Sequence, residues 1–362
     1  MSISTRINRF VSPWVRELTP YHVGDASGLI KLDAMENPFP LPATLREHWN
    51  DVIARTELNR YPDPHSTVLK AAWRESLGLP DEIEMILGNG SDEVIHLLCL
   101  AIAGVQGACV LSPEPSFAVY RIAAQALGLE FVGVPLRDKD FSLDLAAMLV
   151  AIERHQPALV FLASPNNPTA NRIDGDGLEA LCAAAPGLVV LDEAYYRFAG
   201  GTRVLEAARY ENLVVMHTLS KIGLAGLRLG ALFGPSPWIE LLERLRMPYN
   251  INVLTQAGAQ FAFEHLADFE RQIGLILEAR AELFGALSDL NGIHAWPSAT
   301  NFILFRTPAG CANEVFESLR GQGVLIKNVS AAHPMLADCL RVTVGTPREN
   351  AIFIAALTRA LA

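Results

Sequence analysis

Leu188-Val-Val-Leu-Asp-Glu-Ala-Tyr195 is a short apolar run followed directly by polar residues, and Leu159-Val-Phe-Leu-Ala-Ser-Pro-Asn-Asn-Pro-Thr169 has the same form. A run that is apolar at every position is typical of a strand covered on both faces, as helices on two sides of an α/β sheet require. The polar residues then follow the carboxyl ends of the strands, where such sheets bind ligands. These stretches therefore predict an α/β fold with a ligand site at that edge.

Outward from these two stretches, short apolar runs alternate with helical stretches from about residue 83 onward. This alternation predicts a large domain with a mostly parallel, seven-stranded sheet. The runs are Ile83–Leu87, Ala108–Leu111, Phe131–Val134, Ala158–Ala163, Leu188–Leu191, Leu213–His217 and Leu229–Phe233.

A stretch rich in Ala, Leu, Glu and Arg from about His265 to Leu290 predicts a long helix that connects this sheet to a smaller α+β domain. We expect residues 1–40 to form an N-terminal arm that contributes to the small domain, 41–270 the large domain and 271–362 the small domain. The small domain is predicted from strands at 301–306, 324–326 and 340–344 and helices at 312–322 and from 347.

The composition of the 362-residue chain favours a small-molecule partner, because a net charge of -10 and a pI near 5.4 oppose binding to nucleic acid or anionic lipid. Five scattered cysteines without a close pair predict free thiols in a reducing cytoplasm. Residues 1–14 lack the continuous apolar run of a secretion signal, so export is not expected. Glycines and a proline interrupt the uncharged run 94–113, which predicts helix, turn and strand rather than a membrane span.

Three polar clusters follow predicted strands, at residues 164–169, 192–195 and 218–228. A lysine after an apolar strand, such as Lys221, can be partly desolvated, which lowers its pKa and leaves a neutral amine able to form an imine. An acid at the end of a buried strand, such as Asp192, is costly unless it meets a cation, and a protonated pyridine nitrogen is one such partner. The clusters thus favour pyridoxal-phosphate chemistry.

With these clusters in place, the sequence resembles the fold-type-I pyridoxal-phosphate-dependent aminotransferases over nearly the whole chain. Within them it is most similar to the histidinol-phosphate aminotransferase family. Five motifs carry that closer resemblance: Leu18-Thr-Pro-Tyr21, Leu32-Asp-Ala-Met-Glu-Asn-Pro38, Arg60-Tyr-Pro-Asp-Pro64, Gly88-Asn-Gly-Ser-Asp-Glu93 and Leu340-Arg-Val-Thr-Val-Gly345.

The resemblance implies a role for each cofactor-binding residue. Lys221 would hold pyridoxal 5'-phosphate and move the catalytic proton, and Asp192 would bind its pyridine nitrogen. Asn167 and Tyr195 would hydrogen-bond the ring O3', and Phe117 would stack on the ring. The cofactor phosphate would be bound by the backbone amides at a helix start and by two side chains, namely by Gly90, Ser91, Asp92, Ser220 and Arg228.

The family also implies a homodimer with shared active sites, because the tyrosine that matches Tyr61 reaches the phosphate from the neighbouring subunit. The N-terminal arm would add to the subunit contacts. For the substrate, Arg341 and Tyr21 would bind the phosphate of histidinol phosphate, and Asn37 would line the entrance to the same site. Lys327 stands where some members have a second phosphate-binding arginine, and it offers a point charge in place of a bidentate fork.

Two further departures from the family concern Met35, where many members have Asn, and the interval from Lys221 to Arg228, which is one residue shorter than the commonest pattern. Loop lengths vary more readily than the elements that they join. The shorter turn can therefore still bring the side chains of Lys221 and Arg228 to the cofactor.

We expect the enzyme to exchange an amino group between L-histidinol phosphate and 2-oxoglutarate, giving imidazole-acetol phosphate and L-glutamate in L-histidine biosynthesis. The reaction would be ping-pong, because one site must process two substrates in turn. The alternatives are an aromatic or phenylalanine aminotransferase and a decarboxylase similar to threonine-phosphate decarboxylase. A cofactor-binding transcription regulator is disfavoured by the acidic charge and by the lack of a basic recognition helix.

Individual residues also have simpler interpretations. Ser91 could be the N-cap of a helix, and Asp192 could cap a strand end. Arg341 could pair with a structural glutamate, and Lys327 could be a solvated surface charge. The nine histidines lack metal-ligand spacing, so no metal is expected.

Overall fold

A computed structural model describes residues 1–19 and 24–362. Within these ranges the strands are β1 (Ile30–Lys31), β2 (Ile83–Asn89), β3 (Cys109–Glu114), β4 (Glu130–Pro135), β5 (Leu159–Ala163), β6 (Leu188–Asp192), β7 (Leu213–Thr218), β8 (Leu229–Pro235), β9 (His294–Ala295), β10 (Phe302–Arg306), β11 (Val324–Leu325), β12 (Lys327–Asn328) and β13 (Cys339–Thr343).

The α-helices of the same ranges are α1 (Ile3–Phe10), α2 (Pro13–Glu17), α3 (Arg46–Arg55), α4 (Thr67–Leu77), α5 (Gly90–Ile102), α6 (Val119–Ala126), α7 (Leu145–His155), α8 (Gly175–Ala184), α9 (Ser236–Glu243), α10 (Val253–Glu264), α11 (Leu266–Ser288), α12 (Ala312–Gly321) and α13 (Pro347–Ala360). Short 3₁₀ helices lie at Ala43–Leu45, Tyr196–Phe198, Val204–Ala208, Ser220–Ile222, Ala225–Leu227 and Pro334–Leu336.

The large sheet has seven strands in the order β2-β8-β7-β6-β5-β3-β4. β8 is antiparallel to both of its neighbours, and the pairs from β7 to β4 are parallel. Only ten residues separate β7 from β8, which is shorter than the crossover that a parallel connection needs. The predicted α/β class and the mostly parallel seven-stranded sheet are confirmed.

Both faces of this sheet are covered, as the unbroken apolar strands predicted. Val189 and Leu191 of β6 belong to one buried cluster, with residues of α7, α8 and α11. Leu188 and Val190 point the other way, into a second cluster with residues of α5, α6 and α9. Successive side chains of a strand point to opposite faces, so each apolar strand contributes to both clusters.

The strand at the second predicted run, Ala108–Leu111, differs from its prediction, since β3 continues from the expected end at Leu111 to Glu114. Its pairing with β5 stops at Leu111, whereas its pairing with β4 continues to Glu114. Beyond Leu111 the strand is thus paired on one side, where a proline costs little of the ladder. Pro113 therefore does not end the strand.

The carboxyl-terminal part contains a four-stranded antiparallel sheet, β12-β13-β10-β9, and helices α12 and α13. β1, from the N-terminal segment, pairs in parallel with β11. The long helix expected from about residue 265 is α11, and it contacts β9, β10 and α13 as well as α10. Because α11 contacts elements on both sides, domain boundaries at residues 40 and 270 stay a prediction.

The expected helix, turn and strand at 94–113 are present as α5, the turn after it and β3. Of the helices in the described ranges, none has both the length and the apolar composition needed to cross a membrane.

Candidate active site

A cavity with about 820 Å³ of empty space lies at the carboxyl ends of β5, β6 and β7. Its lining combines apolar side chains with a few polar and charged groups, as is typical of small-molecule sites. Most residues predicted to bind the cofactor line it, namely Ser91, Asp92, Phe117, Asn167, Asp192, Tyr195, Ser220, Lys221 and Arg228. The apolar strands thus bring residues that are far apart in sequence to one edge of the sheet.

Lys221 lies in the 3₁₀ helix Ser220–Ile222, which directly follows β7. Burial is the largest cause of a lowered pKa, which falls from 10.5 to about 8. The charges of Arg341 and Arg228 act in the same direction, and those of Asp92 and Glu36 oppose it. At neutral to mildly alkaline pH the Lys221 amine is therefore neutral in a substantial fraction of molecules, which is the form that attacks a carbonyl.

Asp192 is the last residue of β6 and is buried. Its Oδ1 accepts a hydrogen bond from the backbone N–H of Ala194 at 2.9 Å, and its Oδ2 accepts one from the hydroxyl of Tyr120 at 2.5 Å. Burial raises its pKa to about 6, and the two hydrogen bonds act against that rise. Near neutral pH the buried carboxylate is therefore available to a cation in the cavity.

Tyr120 was missed by the sequence analysis. It follows Phe117 by three positions at the entry to α6, and the two rings are in contact with centroids 5.6 Å apart. That spacing was the available signal. Its partner Asp192 lies 72 residues further along the chain, so their contact depends on the order of the strands in the sheet.

Three further predicted cofactor residues surround the cavity. The ring centroid of Tyr195 is 5.6 Å from Nζ of Lys221. The Oδ1 of Asn167 accepts a hydrogen bond from Nη1 of Arg341, so its amide NH₂ is the group that can donate into the cavity. Phe117 lines both this cavity and a neighbouring one.

The start of α5 has the features of an anion site. The helix begins at Gly90, with Asn89 at the N-cap, and the Asn89 side chain makes no capping hydrogen bond. Ser91 is therefore in the first turn, and the alternative that it is the N-cap is wrong. Arg228 lies over this helix start, with Nη2 at 3.1 Å from Oδ2 of Asp92 and Nη1 at 3.5 Å from Oγ of Ser220. First-turn amides and a guanidinium together suit a phosphate.

The conformation of Arg228 explains how the shorter interval from Lys221 is accommodated. It adopts a left-handed conformation, with φ of 50°, after the 3₁₀ helix Ala225–Leu227. Both Arg228 and Lys221 line the cavity. The shorter connection therefore delivers both side chains to one site.

A second cavity, with about 980 Å³ of empty space, adjoins the first and shares Met35, Phe117 and Asn167 with it. Lys327 and Arg341 also line it. They are directly opposite each other in the antiparallel pair β12–β13. Side chains in such positions point to the same face, so two cationic groups lie side by side at this cavity. Such a pair can make charge-assisted hydrogen bonds to an anionic substrate.

Two hydrogen bonds of Arg341 go to neutral groups. Its Nη1 donates to Asn167 and its Nη2 donates to the backbone carbonyl of Asp33 at 2.7 Å. The positive charge of Arg341 also lowers the pKa of the nearby Lys221.

Met35 has a backbone φ of 54°, in the left-handed region that asparagine adopts more readily than methionine. Its N–H donates to Oγ1 of Thr343 and its carbonyl accepts from Nδ2 of Asn301. These two contacts hold the conformation, so the substitution is compatible with the fold.

Three predicted residues of the described ranges, Gly90, Asn37 and Tyr61, line neither cavity. Asn37 donates to the carbonyl of Ile222 at 3.0 Å and to Gln272, so it supports the turn that carries Lys221. Tyr61 is 81% exposed and stacks on Tyr249 at 4.5 Å. Tyr21 falls outside the described residues. Their binding roles stay predictions.

A buried contact between Glu193 and His217 ties together the strand ends behind the cavity. Glu193, next to Asp192, contacts Nε2 of His217 through Oε2 at 2.9 Å and accepts from the N–H of Arg203 at 2.9 Å. Burial lowers the pKa of His217, and Glu193 opposes that effect. Since His217 precedes Thr218, which lines the cavity, the pair ties the ends of β6 and β7 together.

Away from the cavity, His48, Glu264 and His265 bring ligand-type atoms within 4.8 Å of one another. Nδ1 of His48 and Nε2 of His265 are 3.0 Å apart, and both rings contact Phe261. Spacing along the sequence could not indicate this cluster, because the two histidines are 217 residues apart. Hydrogen bonding and ring packing account for their arrangement.

Comparison with known proteins gives one consistent family. Residues 27–357 match the family described as aminotransferase class I and II. Histidinol-phosphate aminotransferase 2 of Nitrosococcus oceani is 51% identical over 97% of both chains. Histidinol-phosphate aminotransferase of Chromobacterium violaceum is 48% identical over 98% of both. The solved structure of the Sinorhizobium meliloti histidinol-phosphate aminotransferase, in complex with pyridoxal-5'-phosphate, has a TM-score of 0.86 at 23% identity over 97% of both chains.

Proposed function

The chain belongs to the aminotransferase class I and II family, and from that premise we propose that it transfers the amino group of L-histidinol phosphate to 2-oxoglutarate. The products would be imidazole-acetol phosphate and L-glutamate, in L-histidine biosynthesis. The family assignment confirms the fold-type-I resemblance and makes the chain a pyridoxal-phosphate-dependent aminotransferase.

One observation carries the choice of substrate. Lys327 and Arg341 lie side by side at the wall of the second cavity, which adjoins the cavity that Lys221 lines. Two cationic side chains can make charge-assisted hydrogen bonds to a phosphate dianion, whereas the carboxylate of phenylalanine offers a single negative charge. The names of the two curated relatives support the same substrate.

The residues of the first cavity fit pyridoxal 5'-phosphate. The uncapped start of α5 and Arg228 suit its phosphate, Asp192 suits its pyridine nitrogen, and Lys221 suits its carbonyl carbon. When bound, the cofactor supplies an electron sink for the negative charge that develops at the substrate α-carbon.

Lys221 would act twice in the reaction. Its neutral Nζ would hold the cofactor covalently between turnovers, and once released it would remove the proton from the substrate α-carbon. A base is most effective when its pKa lies near the working pH. Burial and the charge of Arg341 lower the pKa of Lys221 to about 8, which meets that condition.

Four residues would fix the plane of the cofactor ring. Asp192 would bind the protonated nitrogen, and the amide NH₂ of Asn167 and the hydroxyl of Tyr195 would donate to O3'. Phe117, at the shared wall of the two cavities, would cover one face of the ring. Holding the ring in one plane aligns the bond that breaks with the electron sink.

The second substrate would use the same anion pocket. The carboxylate groups of 2-oxoglutarate and the phosphate of histidinol phosphate are both anions that Arg341 and Lys327 can bind in turn. Because the two substrates would occupy one place, the reaction would follow a ping-pong order.

A homodimer would complete the phosphate site, with Tyr61 reaching the cofactor phosphate of the neighbouring subunit. The large apolar side chains Leu58, Tyr61, Met247 and Tyr249 are exposed, which is typical of a surface that another protein covers. The N-terminal helix α1 likewise exposes Ile3, Ile7 and Phe10. Both surfaces support a dimer in which the arm, residues 1–40, contributes contacts.

We further propose a cytoplasmic location and the predicted division into an arm, a large domain at 41–270 and a small domain at 271–362. Five free cysteines support the first proposal, because thiols persist in a reducing compartment. The four-stranded sheet with α12 and α13 supports the second.

Steady-state formation of glutamate tests the proposed substrate. Histidinol phosphate, histidinol, phenylalanine and threonine phosphate are compared as amino donors to 2-oxoglutarate. We expect the highest kcat/KM for histidinol phosphate and a large loss for histidinol, which lacks only the phosphate. A higher kcat/KM for phenylalanine would indicate an aromatic aminotransferase, and release of carbon dioxide from threonine phosphate would indicate a decarboxylase.

A further inference from the structure

The phenol of Tyr120 lies against the carboxylate of Asp192 beneath the cavity. Tyr120 is 1% exposed, and its Oη donates to Oδ2 of Asp192 at 2.5 Å. The N–H of Ala194 donates to Oδ1 at 2.9 Å. A carboxylate offers about four lone-pair positions, so one donor on each oxygen leaves room for another from the cavity that Asp192 lines.

Two aromatic rings hold Tyr120 in this orientation. Phe161 of β5 stacks on it with ring centroids 4.6 Å apart and 7° between the planes. Phe117 meets it edge-on at 5.6 Å. Because both neighbours restrict the ring, packing contributes to the position of the hydroxyl beside Asp192.

We propose that Tyr120 is a positioning residue for transamination, whose hydroxyl keeps the Asp192 carboxylate ionised and turned toward the cavity for the pyridine nitrogen of the cofactor. Tyr120 is not among the residues that line the cavity, so it would act through Asp192. The inference rests on the place proposed above for Asp192 beside that nitrogen.

The charges around Asp192 agree with this role. Burial raises the pKa of Asp192, the hydrogen bond from Tyr120 is the largest opposing cause, and the amide of Ala194 is the next. Asp92 of α5 adds to the rise, and Lys221 after β7 opposes it. Burial, Asp192, Tyr195 and Asp92 raise the pKa of Tyr120 well above its ordinary value. Tyr120 therefore remains a donor over the whole working pH range.

The titration of the Asp192 carboxyl group tests the proposal directly. Aspartate labelled with carbon-13 at its carboxyl carbon is followed by NMR in the apoenzyme, and Asp192→Asn identifies the signal. Tyr120→Phe keeps the ring between its aromatic neighbours and removes only the hydroxyl. We expect the midpoint of Asp192 to rise by about one pH unit, the effect expected from one lost hydrogen bond to a charged group.

Tyr196→Phe is the matched control. Tyr196 is also buried and stacks on His217 at 4.2 Å, so this variant loses a buried hydroxyl away from Asp192. Its Asp192 midpoint should equal that of the wild type. Should Tyr120→Phe fail to fold, 3-fluorotyrosine is incorporated instead, which makes the phenol a stronger hydrogen-bond donor. The Asp192 midpoint should then fall, whereas it should rise in Tyr120→Phe.

An unchanged Asp192 midpoint in Tyr120→Phe, or the same rise in Tyr196→Phe, overturns the proposal. Adding pyridoxal phosphate to the wild type separates this failure from a failure of the proposed function. A bound pyridinium should lower the Asp192 midpoint further. If the Asp192 midpoint does not change at saturating cofactor, Asp192 does not lie beside the pyridine nitrogen, and the role of Tyr120 is refuted with it. A cofactor response with an unmoved Tyr120→Phe midpoint refutes Tyr120 alone.

Discussion

A Cβ atom added to Gly90 would lie 2.5 Å from Nη2 of Arg228. Gly90 has a φ of 76° at the start of α5, so the absence of a side chain lets the guanidinium lie directly on the helix start. The close approach brings the cation to the same place as the first-turn amides. The geometry explains why this position needs glycine.

Gly90→Ala should therefore displace Arg228 and weaken cofactor binding. We expect the dissociation constant of pyridoxal phosphate to rise by about tenfold or more, the loss of one charge-assisted hydrogen bond. Titration of the apoenzyme with the cofactor measures it.

Gly104→Ala is the control for backbone strain. Gly104 has a φ of 89° and nothing within 4 Å of an added Cβ. Both variants should lose about 1 kcal/mol of folding stability from the left-handed conformation, and cofactor affinity should fall in Gly90→Ala alone. Equal affinity in the two variants would contradict the close approach as the cause.

Lys327→Gln should reduce recognition of the substrate phosphate. Removing one of the two facing cations should lower kcat/KM for histidinol phosphate by about tenfold, mainly through KM, because the contact exists in the ground state as well. Activity with histidinol should change little. Lys139→Gln, at an exposed position, is the charge-matched control. A parallel loss with both substrates would show that Lys327 does not bind the phosphate.

Cofactor loading should depend on pH through Lys221. Its pKa is lowered to about 8, so the neutral amine increases as the pH rises through that value. The rate at which the apoenzyme forms its visible absorption band should rise with pH, with a midpoint at about 8, and level off at higher pH. The charge of Arg341 is the second-largest cause of the lowered Lys221 pKa. In Arg341→Gln the midpoint of the pH dependence should therefore move to higher pH. A rate that is flat across this range would contradict the desolvated lysine.

The oligomeric state and the cofactor affinity of a Tyr61 variant test the shared site. Light scattering should give twice the chain mass of 39.4 kDa. Tyr61→Phe removes the hydroxyl proposed to reach the neighbouring cofactor phosphate and should weaken pyridoxal phosphate binding about tenfold while the dimer persists. Tyr249→Phe, which alters the ring that Tyr61 stacks on, is the control. A monomer with full cofactor affinity would exclude the shared site.

Most of the large sheet could be predicted from the sequence, because residues such as Val189, Val190 and Leu191 leave no polar face and allow only a strand buried on both sides. The ends of β5, β6 and β7 then located Asn167, Asp192 and Lys221 in one cavity. A strand end is a local signal in sequence, so these residues could be found without knowing the order of the strands.

Contacts that depend on tertiary packing could not be predicted in this way. Tyr120 meets Asp192 because α6 covers the face of the sheet opposite α11, and nothing near Tyr120 in sequence indicates that partner. The motif containing Asn37 predicted a residue at the substrate mouth, yet the Asn37 side chain bonds Ile222 and Gln272. A side chain of this kind can serve either the ligand or the backbone, and the neighbouring elements decide which.

We propose that Lys221 carries pyridoxal phosphate and that the loaded protein accepts an amino group from histidinol phosphate. The absorption spectrum of the loaded protein after addition of histidinol phosphate, without any keto acid, tests both statements. The visible band should be replaced by the near-ultraviolet band of the amine form and should return on addition of 2-oxoglutarate. Lys221→Ala should remain folded and lack the visible band. A visible band that ignores histidinol phosphate, or one that persists unchanged in Lys221→Ala, would contradict the claim.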